Sequence, residues 1–169
     1  EAFRGADVRV HITARDVLRS LPAQWQQTTQ HRKTWSWQEY QLAVVSDDRQ
    51  HPAFGNFWSQ HDLEEIIRRW RSAVAAAHIT IVTVPQSGSD PSLLWRRLLD
   101  SMAIELSEFS DVSLANESLG ASSAEVLRRV NLALEPMNLT EKQYNAAVRG
   151  VLARQILAER RQREDKVAL

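Results

Sequence analysis

A mostly helical α/β protein with parallel strands is the fold class this sequence predicts, and three observations predict it. Val8, Val10 and Ile12 alternate with Arg9, His11 and Thr13, the period of two that a pleated strand imposes. Ile79-Thr-Ile-Val-Thr-Val84 is a second run rich in β-branched residues, stopped by Pro85. Around these two lie about six stretches that carry helical spacing or helix-start signals. Two parallel strands so far apart in sequence belong to a sheet with helices on both faces, and a sheet of only two is marginal. Further strands are therefore expected from a segment before Glu1, so the 169 residues read as a single domain or as part of one.

The elements follow in order. Asp16 to about Thr28 reads as a helix, with a kink or early break expected at Pro22. Gln30 to Thr34 is a polar loop, and Ser36-Trp-Gln-Glu39 is a capping box that opens a short helix through Tyr40, Val44 and Val45. Asp47 to Phe57, with Pro52 and Gly55, is expected to be irregular. Ser59-Gln-His-Asp-Leu-Glu then opens the clearest helix, whose stripe of Leu63, Ile66, Ile67, Trp70 and Val74 implies one buried face.

After the second strand, a turn-rich loop leads to Asp90 as N-cap and Pro91 as first helical residue, with Leu94, Trp95, Leu98 and Met102 facing inward. Ile104 to Gly120 reads as a long surface connection. Ser122-Ser-Ala-Glu125 is expected to box a helix through Val126, Leu127, Val130 and Leu134, and Thr140-Glu-Lys-Gln143 the last one, past Tyr144, Val148, Val151, Leu152 and Ile156.

Composition narrows the function classes. An apolar share of 43% fits a folded domain and argues against a disordered chain. With 21 basic and 21 acidic residues the formal charge is zero, so no whole-chain field recruits nucleic acid or a membrane surface. The absence of cysteine excludes disulfides, thiolate chemistry and Cys-type zinc sites and fits a cytoplasmic setting. No apolar run approaches the roughly 20 residues of a membrane helix, and the N-terminus has no signal-peptide pattern. His11, His31, His51, His61 and His78 lack the spacing of metal ligands. His61 reads as an exposed helix-start residue, Trp70 and Trp95 as core, and Trp35 and Trp37 as packing. The basic stripe of Arg149, Arg154 and Arg160 to Arg163 is interrupted by acids and reads as a solvated helix end.

The chemistry-bearing feature is the junction between the first strand and its helix. Arg15 and Asp16 stand at the carboxyl end of the strand, where open α/β sheets bind ligands beside helix N-termini that favour anions. A guanidinium there can hold a phosphate through two parallel hydrogen bonds. The competing reading is a surface Arg-Asp pair at a helix start.

The order of landmarks resembles the C-terminal portion of P-loop sulfotransferases, over roughly residues 7 to 157. Ala14-Arg-Asp, Leu21-Pro and Trp25 are similar to the bacterial members, as are Asn116-Glu-Ser-Leu-Gly120 and Leu127-Arg-Arg-Val-Asn131. Asp90-Pro-Ser-Leu-Leu-Trp-Arg-Arg-Leu-Leu-Asp-Ser-Met-Ala-Ile104 resembles the family's helix after the second strand. The resemblance implies the C-terminal part of a P-loop NTPase-like parallel sheet with flanking helices. It also implies transfer of a sulfuryl group from 3′-phosphoadenosine 5′-phosphosulfate to an acceptor hydroxyl or amine on a small molecule, glycan or lipid.

In that family an arginine at the end of this strand and a serine eight residues later hold the donor's 3′-phosphate. Arg15 matches the first position; Ala23 occupies the second, leaving Ser20 or Gln24 to reach the phosphate. Asn116 and Ser118 are added on a loop expected to fold over the donor mouth, and Trp25 on the helix bordering it. The family's Gly-rich phosphate loop has no match, since Gly5, Gly55, Gly88, Gly120 and Gly150 stand singly, and its base precedes the strand. The chain is therefore expected to be part of a larger enzyme that supplies these pieces, with a homo-oligomer allowed for. Two other readings remain, a non-catalytic helical interaction module and a nucleotide kinase-like P-loop protein.

Overall fold

Residues 5–105 and 119–160 are described by the structure, a computed structural model. They form β1 (Val10–Ala14), α1 (Val17–Gln30), α2 (Trp37–Val45), α3 (Pro52–His61), α4 (Leu63–Arg71), β2 (Ile79–Thr83), α5 (Leu93–Met102), α6 (Ala121–Leu134) and α7 (Glu141–Tyr144). A π-helical stretch, Asn145–Leu157, continues α7 and leads into α8 (Ala158–Arg160). The described chain is thus mostly helical, with one parallel pair of strands, and none of its helices is long and apolar enough to cross a membrane. It divides into two compact units, one of residues 5–17 and 59–105, the other of residues 18–58 and 119–160.

The first unit is built on the strand pair. β1 and β2 run parallel in the register Val10↔Ile79 to Ala14↔Thr83, and Val84 N–H extends the ladder to Ala14 O at 2.8 Å. Both carboxyl ends therefore lie at the same edge. Val10, Val82 and, on α5, Leu99 are its buried apolar residues. Two strands offer little area to cover, and several expectations fail for that reason. None of the α4 residues is fully buried, and Trp70 of its apolar stripe stays 44% exposed. On α5, Leu94 and Leu98 are half-buried while Trp95 and Met102 are exposed.

The helix starts also shift. Asp62 rather than Ser59 caps α4, its Oδ1 accepting Glu65 N–H at 3.0 Å, and Ser59 lies inside α3. Asp90 does not cap α5 from next to Pro91. Its Oδ1 instead takes the Ser92 N–H at 2.9 Å and the Ser92 hydroxyl at 2.8 Å, a local turn that delays the helix to Leu93. The loop before it turns at Gly88, whose φ of +87° suits the third position of a turn closed by Ser89 N–H to Gln86 O at 3.2 Å.

The second unit carries the core: Leu21, Trp25, Tyr40, Val44, Phe57 and Leu127 are all buried there, with Tyr144, Val148, Ala153 and Leu157 from the last helical stretch. α1 runs through Pro22 without the expected break. The lost N–H bond is outweighed by a buried face of Leu21, Trp25, Thr28 and Thr29, since packing contributes most of a helix's stability. Of the stretch expected to be irregular, 47–51 is so, while the rest to Phe57 is helical, because Pro52 starts α3 at a position where a missing N–H costs nothing. His51 supplies the cap, its Nδ1 accepting Ala53 N–H at 3.1 Å while its Nε2 lies 3.1 Å from Glu39 Oε1. Glu39 is the far half of the Ser36 capping box, which forms as expected, as does the box of Thr140 and Gln143.

The expected box at Ser122 does not form. α6 starts two residues earlier than that box requires, with Gly120 as N-cap, and Glu125 bonds Arg128 and Arg129 instead. The last helix also departs from its expected face, burying Tyr144, Val148, Ala153 and Leu157 while Val151 and Ile156 remain exposed. Steps of four and five residues are what an i→i+5 helix needs to keep one face inward, whereas the α-spacing assumed from sequence selects Val151 and Ile156.

Candidate functional site

The carboxyl edge of the strand pair presents Arg15. It is the first residue beyond β1, it is exposed, and among the described residues it makes no hydrogen bond or ion pair. Two other arginines of this unit, Arg97 and Arg96, are committed. Arg97 Nη1 donates to Thr83 O at 2.8 Å and to Thr83 Oγ1 at 3.0 Å, pinning α5 to the end of β2. Arg96 Nη2 reaches Asp90 Oδ2 at 2.6 Å, and hydrogen bonds from Ser92 and then Arg96 hold the Asp90 carboxyl below its ordinary range. Among the described residues Arg15 is thus a cation at this edge whose donors are open to an anion.

His61 responds to that cation. It ends α3 and is half-buried, where sequence reading expects an exposed residue at a helix start. Burial pushes its pKa down, and the positive charge of Arg15 pushes it further. The imidazole is thus biased to its neutral form beside an open guanidinium. The 45 residues between them leave no local signal of this neighbourhood in the sequence.

Ser20 belongs to the buried face of α1 and Gln24 is half-buried on the same helix, both in the second unit. Asn116 and Ser118 lie outside the described residues. Trp25 is not a surface group: it is buried 5.7 Å from the Trp37 ring, and its Nε1 donates to Trp35 O at 2.9 Å. Trp35 stacks on Tyr40 at 6.1 Å, so Trp35 and Trp37 serve packing as expected.

Two further clusters were not marked by the sequence. His11 Nδ1 lies 2.9 Å from Ser101 Oγ, but that hydroxyl donates to Leu98 O at 2.7 Å, so the histidine donates to the serine and does not activate it. In the second unit a cleft of about 360 Å³ is lined by Arg32, Asn131, Asn138 and Tyr144 among others. Three of its polar side chains are held in one network. Tyr144 donates to Asn131 Oδ1 at 2.7 Å, Asn131 Nδ2 donates to Thr29 O at 2.7 Å and Lys33 O at 3.2 Å, and Arg32 lies 4.6 Å over the Tyr144 ring while bonding Leu139 O. This network closes the end of α1 against α6 and α7. Among the described residues no three His, Asp or Glu side chains group as metal ligands. Comparison with protein-family models, with curated proteins and with solved structures finds no significant match.

Proposed function

We propose that this chain binds the sulfuryl donor 3′-phosphoadenosine 5′-phosphosulfate and serves a sulfotransferase-like protein, with Arg15 as the ligand of the donor's 3′-phosphate. The observation that carries the reading is the open, exposed guanidinium at the carboxyl edge of a parallel strand pair. It is joined by the resemblance of the Ala14-Arg-Asp, Leu21-Pro and Asp90-Pro landmarks. A planar cation matches a phosphate dianion through paired hydrogen bonds. Positioning and charge stabilisation are what group transfer of this kind requires from a protein. The acceptor is a hydroxyl or amine of a small molecule, glycan or lipid, chosen by residues outside those argued here.

Calorimetry of the full chain with adenosine 3′,5′-bisphosphate tests the proposal. Binding is expected, weakened by about 1.5–3 kcal/mol in Arg15→Ala, the range of a hydrogen bond to a charged group, and weakened similarly when the ligand lacks its 3′-phosphate. No binding by the wild-type chain overturns the donor assignment and favours the helical interaction module. Preference for ATP over the 3′-phosphorylated nucleotide favours the kinase-like reading.

A further inference from the structure

We infer that the outer face of α4 is a self-association surface that pairs with the same helix of a second copy of this chain, antiparallel about a two-fold axis. The inference is independent of nucleotide binding and rests on how α4 distributes its charges. Asp62 is used as N-cap, and Glu65 bonds Arg68 and pairs with Arg69 at 3.7 Å. Two charges are left over. Glu64 in the first turn and Arg71 in the last are exposed, and among the described residues neither makes an ion pair.

Arg71 follows Glu64 at a spacing of seven, about two helical turns, so both lie on one face. Both also line the same surface groove of about 860 Å³, whose apolar floor is Leu63 and Ile67. An acid at one end, in the field of Arg68 but outside any ion pair, and a base at the other make this face complementary to itself when turned end for end. A two-fold axis crossing the helix between Ile67 and Arg68 sets each Glu64 against the Arg71 of the other copy, at about 5 Å of axial offset from the axis. The same rotation brings the two Ile67 side chains together near the axis, with Leu63 flanking them.

Repulsion disfavours the parallel arrangement, in which Glu64 meets Glu64 and Arg71 meets Arg71. A nine-residue helix face buries less than the roughly 1,200 Å² of stable complexes, which places the dimer among weak, transient ones.

Sedimentation equilibrium of the full chain from about 10 µM to about 1 mM reads the association directly, in the range where a weak interface is populated. A monomer–dimer equilibrium is expected. Glu64→Arg and Arg71→Glu are each expected to weaken it by about tenfold or more, because each places like charges together at both ends of the interface. The double variant Glu64→Arg/Arg71→Glu restores the complementary pairs and is expected to recover most of the association. Circular dichroism checks that each variant is folded; where one is not, raising the salt of the wild type from about 50 mM to about 500 mM is expected to weaken the dimer in its place. A monomer throughout the concentration range overturns the inference. So does a dimer indifferent to charge reversal and salt, or a double variant no better than the singles.

Discussion

At the scale of single residues, the informative pair is Arg15 and His61. An anion held by Arg15 cancels the charge that helps keep His61 neutral, so the histidine pKa is expected to rise when adenosine 3′,5′-bisphosphate is added. Arg15→Ala is expected to raise it without ligand. Histidine NMR titration of both proteins measures the two shifts, and a His61 pKa unmoved by the nucleotide separates this residue from the anion site. The depressed pKa also sets a sign for stability. The unfolded chain binds the proton more readily than the folded one, so His61 leaves stability intact above about pH 6.5 and lowers it as pH falls below that value.

Glu125 acts in the other window. Hydrogen bonds from Arg128, and then from Arg129, outweigh burial and hold its carboxyl down to about 2. Its contribution is therefore present above the ordinary carboxylate range near 4.5 and lost as pH falls toward 2. Glu125→Gln is expected to cost about 1–2 kcal/mol at pH 7, with less of a penalty at pH 3, as read by chemical denaturation at both values. Arg15 was legible because strand alternation and a following helix mark the end of a strand. His61 was not, because its neighbour comes from another part of the chain.

Among the elements, the last helical stretch makes the sharpest distinction between sequence pattern and structure. Leu157→Ala is expected to cost about 2–5 kcal/mol as a core truncation, and Ile156→Ala or Val151→Ala within about 0.5 kcal/mol as surface changes. Thermal or urea denaturation of the three variants reads the winding, since an α-helical register would make Val151 the costly position. The junction of α1, α6 and α7 is a second test. Asn131→Ala removes the donor to Thr29 O and Lys33 O and the acceptor for Tyr144, all at a buried position, and is expected to cost about 2–3 kcal/mol. Tyr144→Phe, which leaves one acceptor unmet, is expected to cost less. Capping boxes at Ser36 and Thr140 were legible because both partners lie within four residues. The box expected at Ser122 failed because Arg128 and Arg129 claim the Glu125 carboxylate, and the helix expected to open from Ser59 starts later because Asp62 caps it.

Across the whole molecule, the core is unevenly shared. The second unit buries large side chains from α1, α2, α3, α6 and the last helical stretch, while the first buries few around two strands. Amide hydrogen exchange is expected to follow that difference, with β1 and β2 exchanging well before the Leu127 region of α6. Mass spectrometry of exchanged peptides measures it, and equal protection in both regions would show that the strands are held by more than their described neighbours.

The sequence alone determined the two strands and their relative direction, most helix cores, two of the caps and the place of Arg15, because each follows from spacing or from partners a few residues apart. It could not determine which apolar stripes are covered. That depends on how much surface other elements offer, and two strands offer too little for Trp70 and Trp95. Nor could it determine the winding after Tyr144, where burial of Ala153 and Leu157 selects one register over another, or the meeting of His61 with Arg15. These are long-range outcomes, set by packing between segments whose separation along the chain carries no local signature.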